Sequence, residues 1–215
     1  MILLSKEALI LGSGGHAESV LGLVKASSSG LRPTAYISRR KETTGPFKHL
    51  TRIEWTEIAS TDIVLLNGVG VSLAAEARWR LYSEGLEFGC SESNLVANSA
   101  VVDETATLGR GVQIFQMAIV QTGSSIGDGV VLGARSVVEH NSHISRGAFV
   151  APGALILGGA FVDEFSIIHA GAIVLPGVRI GEGSILGAGS VALSDIPEGQ
   201  VHVGNPAAYL KDVHT

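Results

Sequence analysis

The chain has 215 residues, a net charge of −5, a high apolar fraction of 46% and only 16% charged residues. Its one short basic run is Arg39-Arg40-Lys41, so nucleic acid is an unfavourable partner, and the single Cys90 excludes an internal disulfide. Length allows one large domain or two small ones.

The N-terminal stretch, Met1 to Gly12, is apolar but interrupted by Lys6 and Glu7, which fits a buried strand better than a signal peptide or membrane span. A cytoplasmic protein is expected. Ala8-Leu9-Ile10-Leu11 is the core of that strand, and Gly12-Ser13-Gly14-Gly15-His16 follows it. Ala17 to Ala26 carries helical spacing through Val20, Leu21 and Val24, and Ser27-Ser28-Ser29-Gly30 turns the chain. Thr34–Ile37 and Asp62–Leu66 are further strands. Leu73 to Glu84 is a helix stopped by Gly85, and Leu86-Glu87-Phe88 is a last short strand. Strands alternating with helices predict a small parallel α/β sheet over residues 1–94.

From residue 102 the grain changes. An aliphatic or small residue recurs at every sixth position: Val102, Leu108, Ile114 and so on through Val138, Ile156 and Ile180 to Ala192. Two residues before each lies a second series, Ala100, Ala106, Val112 onward to Ser190, in which thirteen of sixteen members are Ala or Ser. Neither a helix nor a plain strand sustains a period of six, whereas a β-helix does, with one hexapeptide per flat side. Three sides close a prism, so eighteen residues make one coil rising about 4.8 Å. Residues 95–215 are therefore predicted to form an all-β parallel β-helix of about five coils, with a non-repeating tail starting at Asp195.

Two places carry chemistry. The turn Gly12-Ser13-Gly14-Gly15 opens a helix and offers free N–H groups to an anion. It is not the dinucleotide fingerprint: Ala17 stands at the third glycine position, and Ser38 and Arg39 follow the second strand where an acidic ribose ligand is expected. A ligand-free strand-to-helix connection is the lesser alternative for this turn, and His16 serves equally as a packing residue or a contact. Second, His140 lies two residues beyond the interior Val138, near a prism corner, with Gly158 one coil above it. An imidazole can take a proton from an incoming amine or hydroxyl, and a glycine N–H can steady the oxyanion formed on a thioester carbonyl. By composition alone, any one of the seven histidines is better read as an ordinary surface residue. A zinc site on His140, His143 and His169 is disfavoured, because 140 and 169 do not fall in one column.

The motifs Gly12-Ser13-Gly14-Gly15-His16-Ala17, Val137-Val138-Glu139-His140, Val150-Ala151-Pro152-Gly153-Ala154 and Val203-Gly204-Asn205-Pro206-Ala207 together resemble one family. It comprises the bacterial sugar acetyltransferases with an N-terminal Rossmann-like domain and a hexapeptide left-handed β-helix. These act on nucleotide-linked 4-amino-sugars, and the sialic acid O-acetyltransferases share the layout. The resemblance implies a homotrimer that uses acetyl-CoA as co-substrate and no metal. It implies His140 as general base, Gly158 as oxyanion donor, Asn141 and Glu139 as orienting residues, and Gly158, Gly159 and Pro206 as coenzyme contacts. It also implies Gly12, Ser13, Gly14, Gly15, His16, Ser38 and Arg39 as sugar-nucleotide contacts, and a place in bacterial surface glycan synthesis. The chain departs from the family pattern at Asn141, where an acid is frequent, at Phe149, where a second histidine is frequent, and at Ser38 and Arg39, where an acidic pair is expected. N-acetylation is the leading expectation. Sugar O-acetylation and a non-catalytic scaffold or sensor are the alternatives.

Overall fold

The computed structural model describes residues 6–38, 47–71 and 75–213. Arg39, with the rest of the basic run, lies outside them.

The N-terminal part is a four-stranded sheet. Its strands are β1 (Lys6–Leu11), β2 (Leu31–Ile37), β3 (Lys48–Leu50) and β4 (Val64–Asn67), in the order β3-β2-β1-β4 and all parallel. Helix α1 (Gly15–Ala26) buries Ala17, Val20, Leu23 and Val24, a stripe at helical spacing that packs with Ala8, Ile10 and Leu66 of the sheet. Helix α2 (Arg52–Ile58) and β3 went unread in the sequence. Thr51 accepts from the Glu54 N–H while the Glu54 side chain accepts from the Thr51 N–H, a reciprocal cap that fixes the start of α2.

Two expectations need correction. Helix α3 (Ala75–Glu87) runs through Gly85 instead of stopping there, and Leu86-Glu87-Phe88 is its last turn and exit, not a strand. Gly85 is a packing residue: a Cβ there would lie 2.5 Å from Leu65 Cδ2 and 2.6 Å from Trp55 Cη2. The glycine lets α3 approach the sheet and the Trp55 ring, which outweighs its poor helix propensity.

The second part is a left-handed parallel β-helix built from two-residue strands, beginning with Leu95–Val96. Successive coils pair with a register of eighteen, as in Ser125↔His143, Val131↔Phe149 and Val137↔Leu155. From Ile114 to Ala192 every member of the sixfold series is buried in one continuous core, and Val102 and Leu108 pack against its end. The small-residue series is equally buried, and its serines turn their hydroxyls to the next coil: Ser124 donates to Glu139 O at 2.8 Å, Ser142 to Leu157 O at 3.0 Å and Ser166 to Gly181 O at 2.7 Å. These three buried hydroxyls are thereby satisfied, whereas the buried Ser136 hydroxyl has no partner among the described residues.

A third series was not read in the sequence. Three residues before each interior aliphatic, from 111 to 189, the backbone is left-handed. Ten of these corners are Gly, and four are Met117, Arg135, Asn141 and Phe165, with φ between 56° and 60°. Asn is among the few side chains that tolerate this conformation well.

The three walls differ outside. One is covered by the N-terminal part through Leu95, Gln113, Val131 and Phe149. A second carries the column Ser125, His143, Phe161 and Arg179. The third presents only aliphatics outward: Val101, Ile119, Val137, Leu155, Ile173 and Val191.

Candidate active site

His140 stands at a corner of the aliphatic wall, exposed, directly below Gly158. The Gly159 N–H donates to His140 O at 2.9 Å, which is the coil-to-coil register written as a hydrogen bond. The imidazole lies over Gly158: a Cβ added there would meet His140 Cε1 and Nε2 at 2.5 Å each. Gly158 accepts from the Gly177 N–H through its carbonyl, while its own N–H has no partner among the described residues. An imidazole beside an unspent backbone N–H is the pair that proton removal and oxyanion stabilisation require. Gly159 sits at the adjoining left-handed corner, with φ +67° and open space around it.

Asn141 reaches back to the imidazole, with Nδ2 at 3.3 Å from Nδ1. In that pose the amide donates and Nε2 carries the ring proton. A half-turn of the amide offers Oδ1 to an Nδ1–H instead and moves the free lone pair to Nε2. An asparagine can thus serve either tautomer, whereas a carboxylate serves one. The Glu139 backbone is bound into the coil by its N–H to Ile156 O at 2.8 Å and by its carbonyl to Ser124. Its carboxylate makes no hydrogen bond to His140 among the described residues.

The glycine turn lies at the C-terminal edge of the sheet, where β1 and β4 lie side by side and the strand order reverses. This is the crevice in which open α/β sheets take ligands. Gly12 has φ +92°, and a Cβ there would lie 3.0 Å from Gly68 O, so both its conformation and its close approach call for glycine. Gly14 caps α1 without a side-chain hydrogen bond, and Gly15 opens the helix, so the first-turn N–H groups keep no side-chain partner from the cap. Ser13 donates to Ser38 at 2.9 Å. A cleft of about 440 Å³ opens here, lined by Gly12, Ser38, Arg52, Trp55, Arg80 and Glu84 among others. The sequence reading missed Arg52, Trp55 and Arg80. The cap Thr51-Arg52-Ile53-Glu54 was the signal available for the first two.

His16 does not face that cleft. It points to the β-helix, where Nε2 is 3.2 Å from Gln113 Oε1 and its ring lies 6.0 Å from Phe115 and 5.7 Å from Phe149. Burial, and then the guanidinium of Arg78, lower its pKa to about 4. Arg78 is itself fully buried and donates to Val69 O and Gly129 O, both at 3.0 Å, tying the loop after β4 to the β-helix.

Within one chain His140 lines neither the glycine-turn cleft nor the cleft beside His16. Pro206 is exposed in the tail between strands Gln200–Val203 and Ala208–Asp212. His143 hydrogen-bonds Ser125 at 2.6 Å and stacks on Phe161 with ring centroids 4.9 Å apart. No group of three His, Cys, Asp or Glu among the described residues is placed to hold a metal ion. No helix among them is long and apolar enough to cross a membrane.

The bacterial transferase hexapeptide family (six repeats) matches residues 159–192. No curated protein matches the chain at a significant level. Solved structures match over nearly the whole length. A histidine-to-asparagine mutant of perosamine N-acetyltransferase from Caulobacter crescentus, in complex with CoA and GDP-perosamine, superposes with a TM-score of 0.86 at 27% identity, covering 96% of this chain and 97% of that one. The acetyltransferase domain of PglB from Neisseria gonorrhoeae, in complex with acetyl coenzyme A, gives 0.88 at 26% identity, covering 96% and 100%. WeeI from Acinetobacter baumannii shares the fold, with a TM-score of 0.86 at 21% identity. Fold, repeat and comparisons define a hexapeptide-repeat acetyltransferase. Within that class the chain is similar to perosamine N-acetyltransferase and to the acetyltransferase domain of PglB, in line with the resemblance its sequence motifs carry.

Proposed function

We propose that the protein is an acetyl-CoA-dependent N-acetyltransferase acting on the amino group of a nucleotide-linked amino-sugar in bacterial surface glycan synthesis. The observation that carries this reading is the His140 imidazole lying over Gly158, whose N–H is free, on a scaffold similar to N-acetyltransferases bound to CoA and GDP-perosamine.

The neutral amine attacks the thioester carbonyl carbon directly. The C–N bond forms as electrons move to the carbonyl oxygen, where the Gly158 N–H stabilises them. His140 takes the proton lost by the nitrogen, and Asn141 turns its amide to match the ring. Collapse of the tetrahedral species breaks the C–S bond, and the proton held by His140 neutralises the departing thiolate. Glu139 borders this site, and Gly159 and Pro206 serve the coenzyme. The part spanning residues 1–94 holds the sugar nucleotide through Gly12, Ser13, Gly14, Gly15, His16, Ser38 and Arg39.

A single β-helix offers flat walls, and its outward aliphatic column from Val101 to Val191 is uncovered in one chain. Burial of that column between copies supports a cyclic homotrimer with His140 facing a neighbour's N-terminal part. The reaction is assumed to run in the cytoplasm. The test is mass spectrometry of nucleotide-linked 4-amino-sugars incubated with acetyl-CoA. One acetyl increment on the sugar supports the proposal, and its absence across GDP-, UDP- and dTDP-linked amino-sugars overturns it.

A further inference from the structure

The cleft between α1 and the β-helix, about 380 Å³ in volume, is separate from the glycine-turn cleft, and His16 is its one titratable lining residue. Phe115, Val131, Ala134, Phe149 and Pro152 form its apolar walls. Ser19 and Gln116 add the only other polar side chains among the described lining residues. A small, mostly apolar cleft with few polar groups gains its selectivity from how those groups are fixed.

His16 is fixed by a chain of hydrogen bonds that settles its tautomer. Gln113 is buried, 2% exposed, and its Nε2 donates to Asn67 O at 2.8 Å. A backbone carbonyl can only accept, so the Gln113 amide cannot be reversed without setting two oxygens against each other. Its Oε1 therefore faces His16 Nε2 as an acceptor, and Nε2 must be the protonated nitrogen. Asn67 is held in turn, its Oδ1 accepting from the Val69 N–H at 3.1 Å and its Nδ2 donating to Arg78 O at 3.4 Å. The remaining nitrogen, Nδ1, has no partner among the described residues. Burial and the Arg78 guanidinium, the charged group bearing on this ring, keep the imidazole neutral above about pH 4, so the lone pair on Nδ1 persists at neutral pH.

We propose that His16 is a specificity-determining residue: locked as the Nε2–H tautomer by Gln113, it presents Nδ1 as a hydrogen-bond acceptor to a hydroxyl or amino group of the acceptor sugar seated between Phe115 and Phe149. The inference rests on the sugar-nucleotide reading of the preceding section. It adds the subsite of the sugar ring, the direction of the hydrogen bond and the residue that sets it. His16 follows directly on the glycine turn, so a nucleotide held at Gly12 to Gly15 can extend its sugar toward this cleft. The apolar walls suit the C–H face of a pyranose. They offer no cation to a carboxylate, which separates a neutral amino-sugar from a carboxylated one.

Nitrogen NMR of the full-length protein labelled at histidine reads the tautomer in the absence of any ligand. Expected at pH 7 is a protonated Nε2 and an unprotonated Nδ1 for His16, assigned by its loss in His16→Gln. An Nδ1–H tautomer or an imidazolium overturns the assignment whatever the enzyme's activity. Adding GDP-perosamine should then move the Nδ1 resonance, whereas CoA alone should leave it in place. In kinetics with the amino-sugar nucleotide that the wild type acetylates, His16→Gln keeps a donor for Gln113 but loses the acceptor. It should raise the acceptor KM about tenfold, the worth of one hydrogen bond, with the acetyl-CoA KM unmoved. His16→Asn, whose amide oxygen can occupy the Nδ1 position, should recover most of that loss. An unchanged acceptor KM in His16→Gln refutes the role in an active enzyme. A wild type that acetylates no amino-sugar instead refutes the acetyltransferase reading.

Discussion

Replacing Gly158 by alanine tests the proposed catalytic pair without deleting either member. The added Cβ would lie 2.5 Å from both Cε1 and Nε2 of His140 and 3.2 Å from Cδ2. Carbon contacts are comfortable from about 3.5 Å, so the ring must retreat by roughly 1 Å. Misplacement of a catalytic group by that distance costs on the order of 10²-fold in rate, about 2.7 kcal/mol of barrier. Stability should move by less than about 1 kcal/mol, since Gly158 is outside the left-handed region and His140 is exposed and can swing into solvent. Gly171→Ala is the counterpart. It stands at a left-handed corner with φ +67° and nothing within 4 Å, so it should cost about 1–2 kcal/mol of stability through backbone strain while His140 stays in place. Steady-state release of the CoA thiol, followed with a chromogenic disulfide, measures the first effect, and thermal denaturation measures the second. Turnover of Gly158→Ala within twofold of the wild type, alongside a large loss in His140→Ala, would refute the claim that His140 works from its position against Gly158.

His140→Ala should lower kcat by about 10² to 10⁴, with the acetyl-CoA KM little changed, as steady-state kinetics will show. Ile156→Asp places an unpaired carboxylate in the β-helix core and should destabilise it by several kcal/mol, visible as loss of the cooperative unfolding transition in urea. Because the folded-state pKa of His16 is depressed from 6.5 to about 4, its contribution to stability is complete above pH 6.5 and lost as pH falls toward 4. The slope is at most about 1.4 kcal/mol per pH unit, for a total of roughly 2–3 kcal/mol given its partial exposure. Urea midpoints from pH 7 to 4 should therefore fall less steeply in His16→Phe, and parallel profiles would count against it. Leu155→Glu, on the uncovered aliphatic wall, should convert a trimeric mass in light scattering to a monomeric one, and a wild type that is already monomeric at micromolar concentration excludes the assembly.

The β-helix was legible because its interior admits one large aliphatic in six residues with a small residue two positions before it, and burial enforces that rule from Val112 to Ala192. The corner rule was hidden because four of its positions are not glycine. Asn141, which stands out beside His140 as a departure from an acidic residue, occupies one of these corners at φ 56°, so the backbone has its own reason for an asparagine there. Gly85 misled for the opposite reason: a glycine in a helix reads as a stop, yet here its missing side chain makes room for Trp55. The glycine turn announced itself locally, but the rest of its cleft did not, since Arg52, Trp55 and Arg80 arrive from two helices. Gln113, which settles the state of His16, lies 97 residues away and shows no pattern of its own beyond the repeat.

The register of eighteen interleaves three separate messages in one hexapeptide text. Excision of residues 103–120, one full coil, leaves every later residue on its own wall. Excision of residues 121–126 alone preserves the aliphatic period, so the interior fills as before, but hands each later residue to the next wall. The column of Val137, Leu155, Ile173 and Val191 then rotates by a third of a turn relative to the coils beneath it, and His140 leaves its edge. The core is blind to this frame error, whereas the outer surfaces are not. A six-residue deletion should therefore yield a folded coil that has lost its proposed assembly face, and only multiples of eighteen keep the three walls in phase.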